Sequence, residues 1–173
     1  MLICQVLVGA TFAYATWTKL RSRTAYREFA GSVRAFRLLP RRLENPAAVT
    51  FVAAELAAGA AVVVPSTAAV GFSLAAALLA LFSGAIVATI LRGRRVFCRC
   101  FGASEHRAGW PQVIRNALLL AASVTGLIGS LVPRPAPAPA ELAVACTAGI
   151  AGALLISRFD DIVDLFRSSS TPL

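Results

Sequence analysis

Apolar residues in this chain come in long unbroken runs separated by short basic stretches, rather than in alternation or at a helical period. The first run spans Met1 to Thr18, has no charge before Lys19 and ends with Trp17. A second, from Pro46 to Val64, is interrupted only by Glu55, and Pro65-Ser66-Thr67 turns it back into a third, Ala68 to Leu91. A fourth runs from about Pro111 to Val132 with Arg115 and Asn116 in its first turns, and a fifth from about Glu141 to Ser157. Runs of roughly 17 to 25 residues match a hydrocarbon core of ~30 Å when helical. Lipid offers no partner to a free backbone group, so the pattern predicts an all-α integral membrane bundle with five spans.

The segments between the spans carry their own signals. Between Lys19 and Arg42, Tyr26, Phe29, Val33 and Phe36 recur at helical spacing while Arg23, Arg27, Arg34 and Arg37 fall elsewhere on the wheel, which predicts an amphipathic interfacial helix. Pro133 to Ala140 alternates proline with other residues and reads as a stiff polyproline strut of roughly 25 Å. It sets off a core domain of residues 1–132 from an additional helix, 141–167, and the tail 168–173 has the composition of a disordered segment.

Composition sharpens this picture. With 58% hydrophobic and 14% charged residues and a mean hydropathy of +0.74, the chain lies outside the range of soluble domains. The first run lacks the basic leader of a signal peptide and is long for one, so it is expected to be retained. The net charge of +9 comes from 17 basic residues, eight between Lys19 and Arg42 and five between Arg92 and Arg107. Basic residues beside membrane spans answer to anionic lipid and to topology, so no nucleic-acid partner is expected. Retention of Lys and Arg in the cytoplasm places both basic loops inside a cell membrane and the amino terminus outside.

The candidate chemistry is concentrated in Arg92-Gly-Arg-Arg-Val-Phe-Cys-Arg-Cys-Phe-Gly102. Arg94, Arg95 and Arg99 flank Cys98 and Cys100 and would stabilise a thiolate, the nucleophilic form. A disulfide between cysteines so close is strained and easily reduced, which suits exchange better than stapling. His106 follows, but structural zinc sites use four Cys or His ligands at wider spacing, so no metal is expected. Cys4 and Cys146 have matching predicted depths; they read as small packing residues or as a second thiol pair facing the other side. Glu55 is the ionisable residue in mid-span and should face the bundle. Lys19, Arg115 and Asn116 approach it from the same predicted side. Such a cluster suits orientation of the dithiol, the head group of a quinone, or a structural ion pair alike. Gly59, Gly84, Gly126 and Gly149 read as close-packing points between helices.

Lys19-Leu20 after the first span, Phe29 with Phe36-Arg-Leu-Leu-Pro40, Glu55-Leu56, Cys98-x-Cys100-Phe101-Gly102 and Arg115-Asn116 together resemble the MauE family of methylamine utilisation membrane proteins, relatives of the DoxX type. The resemblance covers Met1 to Val132, with the C-x-C-F-G element as its most specific part. It implies a four-helix membrane bundle associated with thiol redox, a thioredoxin-like partner, and a role in maturing a disulfide-rich enzyme, methylamine dehydrogenase in the namesake pathway. The chain then reads as a thiol-disulfide oxidoreductase component with Cys98 and Cys100 as its dithiol. A non-catalytic assembly factor and a small transporter using Glu55 are the alternatives.

Overall fold

The computed structural model describes residues 1–36, 40–93, 109–132, 137–159 and 162–163, and every regular element among them is helical. The helices are α1 (Leu2–Leu20), α2 (Arg23–Ala35), α3 (Arg41–Val63), α4 (Ala68–Leu91), α5 (Trp110–Ser130) and α6 (Pro139–Ser157), with a single 3-10 turn, Pro65–Thr67, between α3 and α4. Consecutive long helices run antiparallel. α1, α3, α4 and α5 close into a four-helix ring in which α1 touches both α3 and α5, and α6 packs on the outside against α1.

Among the described residues, four helices are long and apolar enough to cross a membrane, namely α3, α4 with its preceding turn, α5 and α6. The chain is thus a multi-pass membrane protein. α1, which the hydropathy pattern reads as the first span, falls outside this set although its 19 residues have the length. Its apolar character is diluted by Gln5, Thr11, Thr16, Thr18 and Lys19, and all of these are buried inside the molecule. It still runs the depth of the bundle, from Gln5 beside Val62 to Lys19 beside Glu55. A helix enclosed by protein on several sides does not need the hydropathy of one facing lipid.

The core holds Val8 and Phe12 of α1, Ala58 and Val62 of α3, Phe72, Ala75, Leu78 and Leu79 of α4, and Leu119 of α5. Outward positions such as Leu56, Val70, Leu81, Leu118 and Leu154 are equally apolar and exposed, as lipid-facing residues must be. Close approach rests on glycine at a few points. A side chain at Gly71 would run into the backbone of Val62 and Ala61, one at Gly126 into the Phe72 ring, and one at Gly149 into Val6. A Cβ at Gly59 would meet Phe12 Cβ at 3.3 Å, whereas one at Gly84 would meet nothing within 4 Å among the described residues, so the close-packing role expected for Gly84 does not hold. It lies on an exposed face of α4, where helical period rather than residue size decides what a position touches.

α2 forms where the amphipathic pattern predicts it. Ser22 caps its start by accepting from the Ala25 amide at 3.0 Å. Phe29 and Phe36 are buried, Tyr26 and Val33 half-buried, and Arg23, Arg27 and Arg34 exposed. The apolar face is applied to the bundle itself: Phe29 packs with Ala48, Val52 and Phe51 of α3, and Phe36 with Ile86 and Phe82 of α4. Arg34 ties the helix to the next one by donating to Asn45 Oδ1 at 2.8 Å.

Two boundaries differ from the sequence reading. α3 begins at Arg41, before Pro46, because its basic first turn lies beyond the apolar stretch and a proline so near the start removes only one intrahelical bond. α6 begins at Pro139 within the expected strut, since proline at the first helical positions has no hydrogen bond to lose. Residues 133–136 of the strut and the tail 168–173 lie outside the described residues.

Candidate functional site

The polar centre of the bundle is a buried ion pair. Lys19, in the last turn of α1, is 1% exposed and Glu55, midway along α3, is 7% exposed. Lys19 Nζ donates to both carboxylate oxygens, Oε1 and Oε2, at 2.7 Å each. The Cα–Cβ bonds of a helix tilt toward its amino terminus, so on antiparallel α1 and α3 these two side chains lean toward each other. The carboxyl end of α1 adds a negative partial charge beside the ammonium.

Aromatic rings close over the pair. Lys19 Nζ lies 4.9 Å from the centroid of Phe29 on α2 and 5.8 Å from that of Phe51 on α3. Phe51 contacts both Phe29 and Phe82, with ring centroids 6.0 and 5.7 Å apart. A cation over ring faces in a desolvated site is attracted by their quadrupoles, so the stack is more than a hydrophobic plug. The sequence assigns Phe29 to the apolar face of α2 without indicating that this face covers Lys19; that depends on how α2 folds back.

Beside Glu55 lies a cavity lined by Phe12, Ala15, Phe51, Leu78, Leu79 and Phe82, with Asn116 of α5 as the second polar residue of its wall. The volume open to the centre of a water molecule is about 30 Å³. That is on the scale of a few waters. Arg115 is 2% exposed, Asn116 1% and Gln112 3%, so the polar residues in the first turns of α5 are inside the molecule. Most other buried hydroxyls, Thr16 excepted, spend their hydrogen bonds locally: Thr11 donates to Leu7 O at 2.7 Å, Thr89 to Ala85 O at 2.7 Å and Ser123 to Leu119 O at 2.8 Å.

Of the residues singled out from the sequence, the structure thus joins Lys19 to Glu55 and sets Glu55 and Asn116 on one cavity. Cys98 and Cys100, with Arg94, Arg95, Arg99 and His106, lie outside the described residues. Their segment joins the carboxyl end of α4 to the amino end of α5, the end of the bundle that also carries Lys19 and α2. On one side it departs from Gly93, whose φ of +66° closes α4 in the left-handed conformation glycine favours. On the other it arrives at Gly109, whose amide donates to Gln112 Oε1 at 2.8 Å. Cys4 and Cys146 are free thiols. Cys4 is half-buried against the core, while Cys146 is exposed, one position round the helix from the Ala145–Gly149–Ala153 face buried in the molecule.

Comparison with known proteins accounts for the core of this arrangement. The family model described as methylamine utilisation protein MauE matches residues 1–129, the stretch that ends with α5. The methylamine utilization protein MauE of Paracoccus versutus is 39% identical over 150 residues, covering 86% of this chain and 77% of that protein. Its counterpart from Paracoccus denitrificans is 34% identical over 154 residues, with the same coverage of 86% and 77%. That of Methylorubrum extorquens is 38% identical over 131 residues, covering 75% of this chain and 70% of that protein. No solved structure matches the chain. With its four-helix core matched from end to end and relatives of this identity aligned over most of both lengths, the chain belongs to the MauE family.

Proposed function

We propose that this protein is a redox-associated membrane component in methylamine utilisation that exchanges electrons between Cys98/Cys100 and a thioredoxin-like partner, in support of disulfide formation in a maturing enzyme. The observation that carries the reading is the Cys98-Arg-Cys100-Phe-Gly element in a chain of the MauE family. Its flanking arginines favour thiolate, and its segment is anchored at the bundle end that holds the buried ion pair.

The exchange balances as follows. The Cys98 thiolate attacks the partner's disulfide, forming a mixed disulfide and releasing one partner thiolate; the Cys100 thiolate then attacks the Cys98 sulfur and releases the second. Two electrons pass to the partner, which leaves as a dithiol, and Cys98–Cys100 remains as a disulfide. Run in reverse with a dithiol client, the same steps oxidise the client. By the distribution of basic residues the dithiol faces the cytoplasm of a cell membrane.

Cys100→Ser tests the reading. The variant should accumulate a mixed disulfide through Cys98, visible as a reductant-sensitive adduct on a non-reducing gel. A chain that forms no adduct and keeps its function without either thiol would instead be an assembly factor. That second reading has its own support in the exposed basic face of α2, with Arg23, Arg27 and Arg34 beside Arg41 and Arg42 of α3.

A further inference from the structure

The cavity beside Glu55 has a property the redox reading does not use. Asn116 is 1% exposed, and its Nδ2 finds no hydrogen-bond acceptor among the described residues. A buried amide donor without an acceptor is costly, and native interiors resolve the cost with protein or with ordered water. Asn116 shares the cavity wall with Glu55. Each carboxylate oxygen of Glu55 receives one hydrogen bond from Lys19 and keeps acceptor capacity beyond it. A donor with no acceptor therefore lines the same small space as an acceptor with capacity left.

We infer that this cavity is an internal water-binding site, in which water accepts from Asn116 Nδ2 and donates to the Glu55 carboxylate, so that α5 is hydrogen-bonded to the α1–α3 ion pair. The chemistry excludes the other occupants. A second cation would meet the Lys19 ammonium, already 2.7 Å from both carboxylate oxygens, and an anion would meet the carboxylate. An apolar molecule leaves Asn116 Nδ2 as it is. A neutral molecule that both donates and accepts is required, and water is the smallest such molecule for an open volume of about 30 Å³. The six apolar residues around the space fix where those waters sit without competing for their hydrogen bonds. Water here would complete a network, Lys19 to Glu55 to solvent to Asn116, joining three of the four core helices.

A crystal structure of the full chain under xenon pressure tests this directly, because dry apolar cavities take up xenon and polar hydrated ones do not. The expected result is solvent density within about 2.7–3.2 Å of Asn116 Nδ2 and of a Glu55 oxygen, with no xenon in the cavity. Xenon in that cavity, or Asn116 turned onto a protein acceptor with the space closed, would overturn the inference. In detergent micelles, cross-relaxation between water and the Asn116 side-chain amide should be present despite burial, and its absence would count equally against the site.

Discussion

Lys19 points the unusual way for a basic residue at the end of a membrane helix. Such side chains ordinarily run outward to bring the charge to water; this one turns into the bundle and is 1% exposed. Only a fixed anion at the far end makes that favourable, and Glu55 supplies it with both oxygens at 2.7 Å. Burying such a pair gains little over an apolar pair of the same shape, but removing one partner strands the other charge, at about 3–5 kcal/mol. Lys19→Met and Glu55→Leu should each lose stability on that scale, and the double variant should recover most of it. Thermal unfolding in detergent of the four proteins reads the coupling; losses that simply add would show that the two residues do not act as a pair. The sequence singles out both residues as charges beside or within spans, yet nothing in it shows that Lys19 leans inward, because that follows from the antiparallel placement of α1 on α3.

α3 and α4 approach each other through Gly71, where even a methyl group would overlap the backbone of Val62 and Ala61. Gly71→Ala should therefore separate the two helices near the Pro65–Thr67 turn and cost about 1–3 kcal/mol, as overpacking does. Gly84→Ala, on the same helix but facing open space, should leave stability unchanged or slightly raised through helix propensity. Melting temperatures of the two variants side by side make the check, and equal effects would contradict the packing described. α2 teaches a related point. Its amphipathic period is legible in Tyr26, Phe29, Val33 and Phe36, but a period says only that one face seeks an apolar environment. Lipid and the end of a helix bundle satisfy it equally, and here Phe29 and Phe36 find Phe51, Phe82 and Ile86.

The long helices share one polarity of charge. Arg21, Arg23, Arg27, Arg34, Arg41, Arg42 and Arg92 are exposed at the end that holds Lys19, while the Pro65–Thr67 turn at the opposite end carries no charge. In a Cys4→Ala/Cys146→Ala background, an impermeant thiol reagent should leave Cys98 and Cys100 unlabelled in intact cells and label them after permeabilisation; labelling from outside would invert the orientation. α6 stands apart from the ring and rests on α1. Its removal exposes Val6 and Leu7 to lipid, which is as apolar as α6 itself. A chain ending at Val132 should accordingly remain helical and monodisperse by circular dichroism and size exclusion, with a modest fall in melting temperature. Aggregation would make α6 part of the core rather than an addition to it.

Hydropathy runs, basic loops and the spacing of Phe29 and Phe36 were enough to determine a helical membrane protein, the amphipathic α2 and the polar residues worth examining. Those are properties of a segment and the environment it requires, and a linear pattern records them. The tertiary structure alone decided that α1 is enclosed by α3, α5 and α6 and so tolerates Gln5 and four buried threonine and lysine positions, that Lys19 reaches Glu55 beneath Phe29, and that Asn116 shares a cavity with that pair. Each is a question of which helix faces lie against one another, settled by where glycines permit close approach and by how helix direction tilts each side chain.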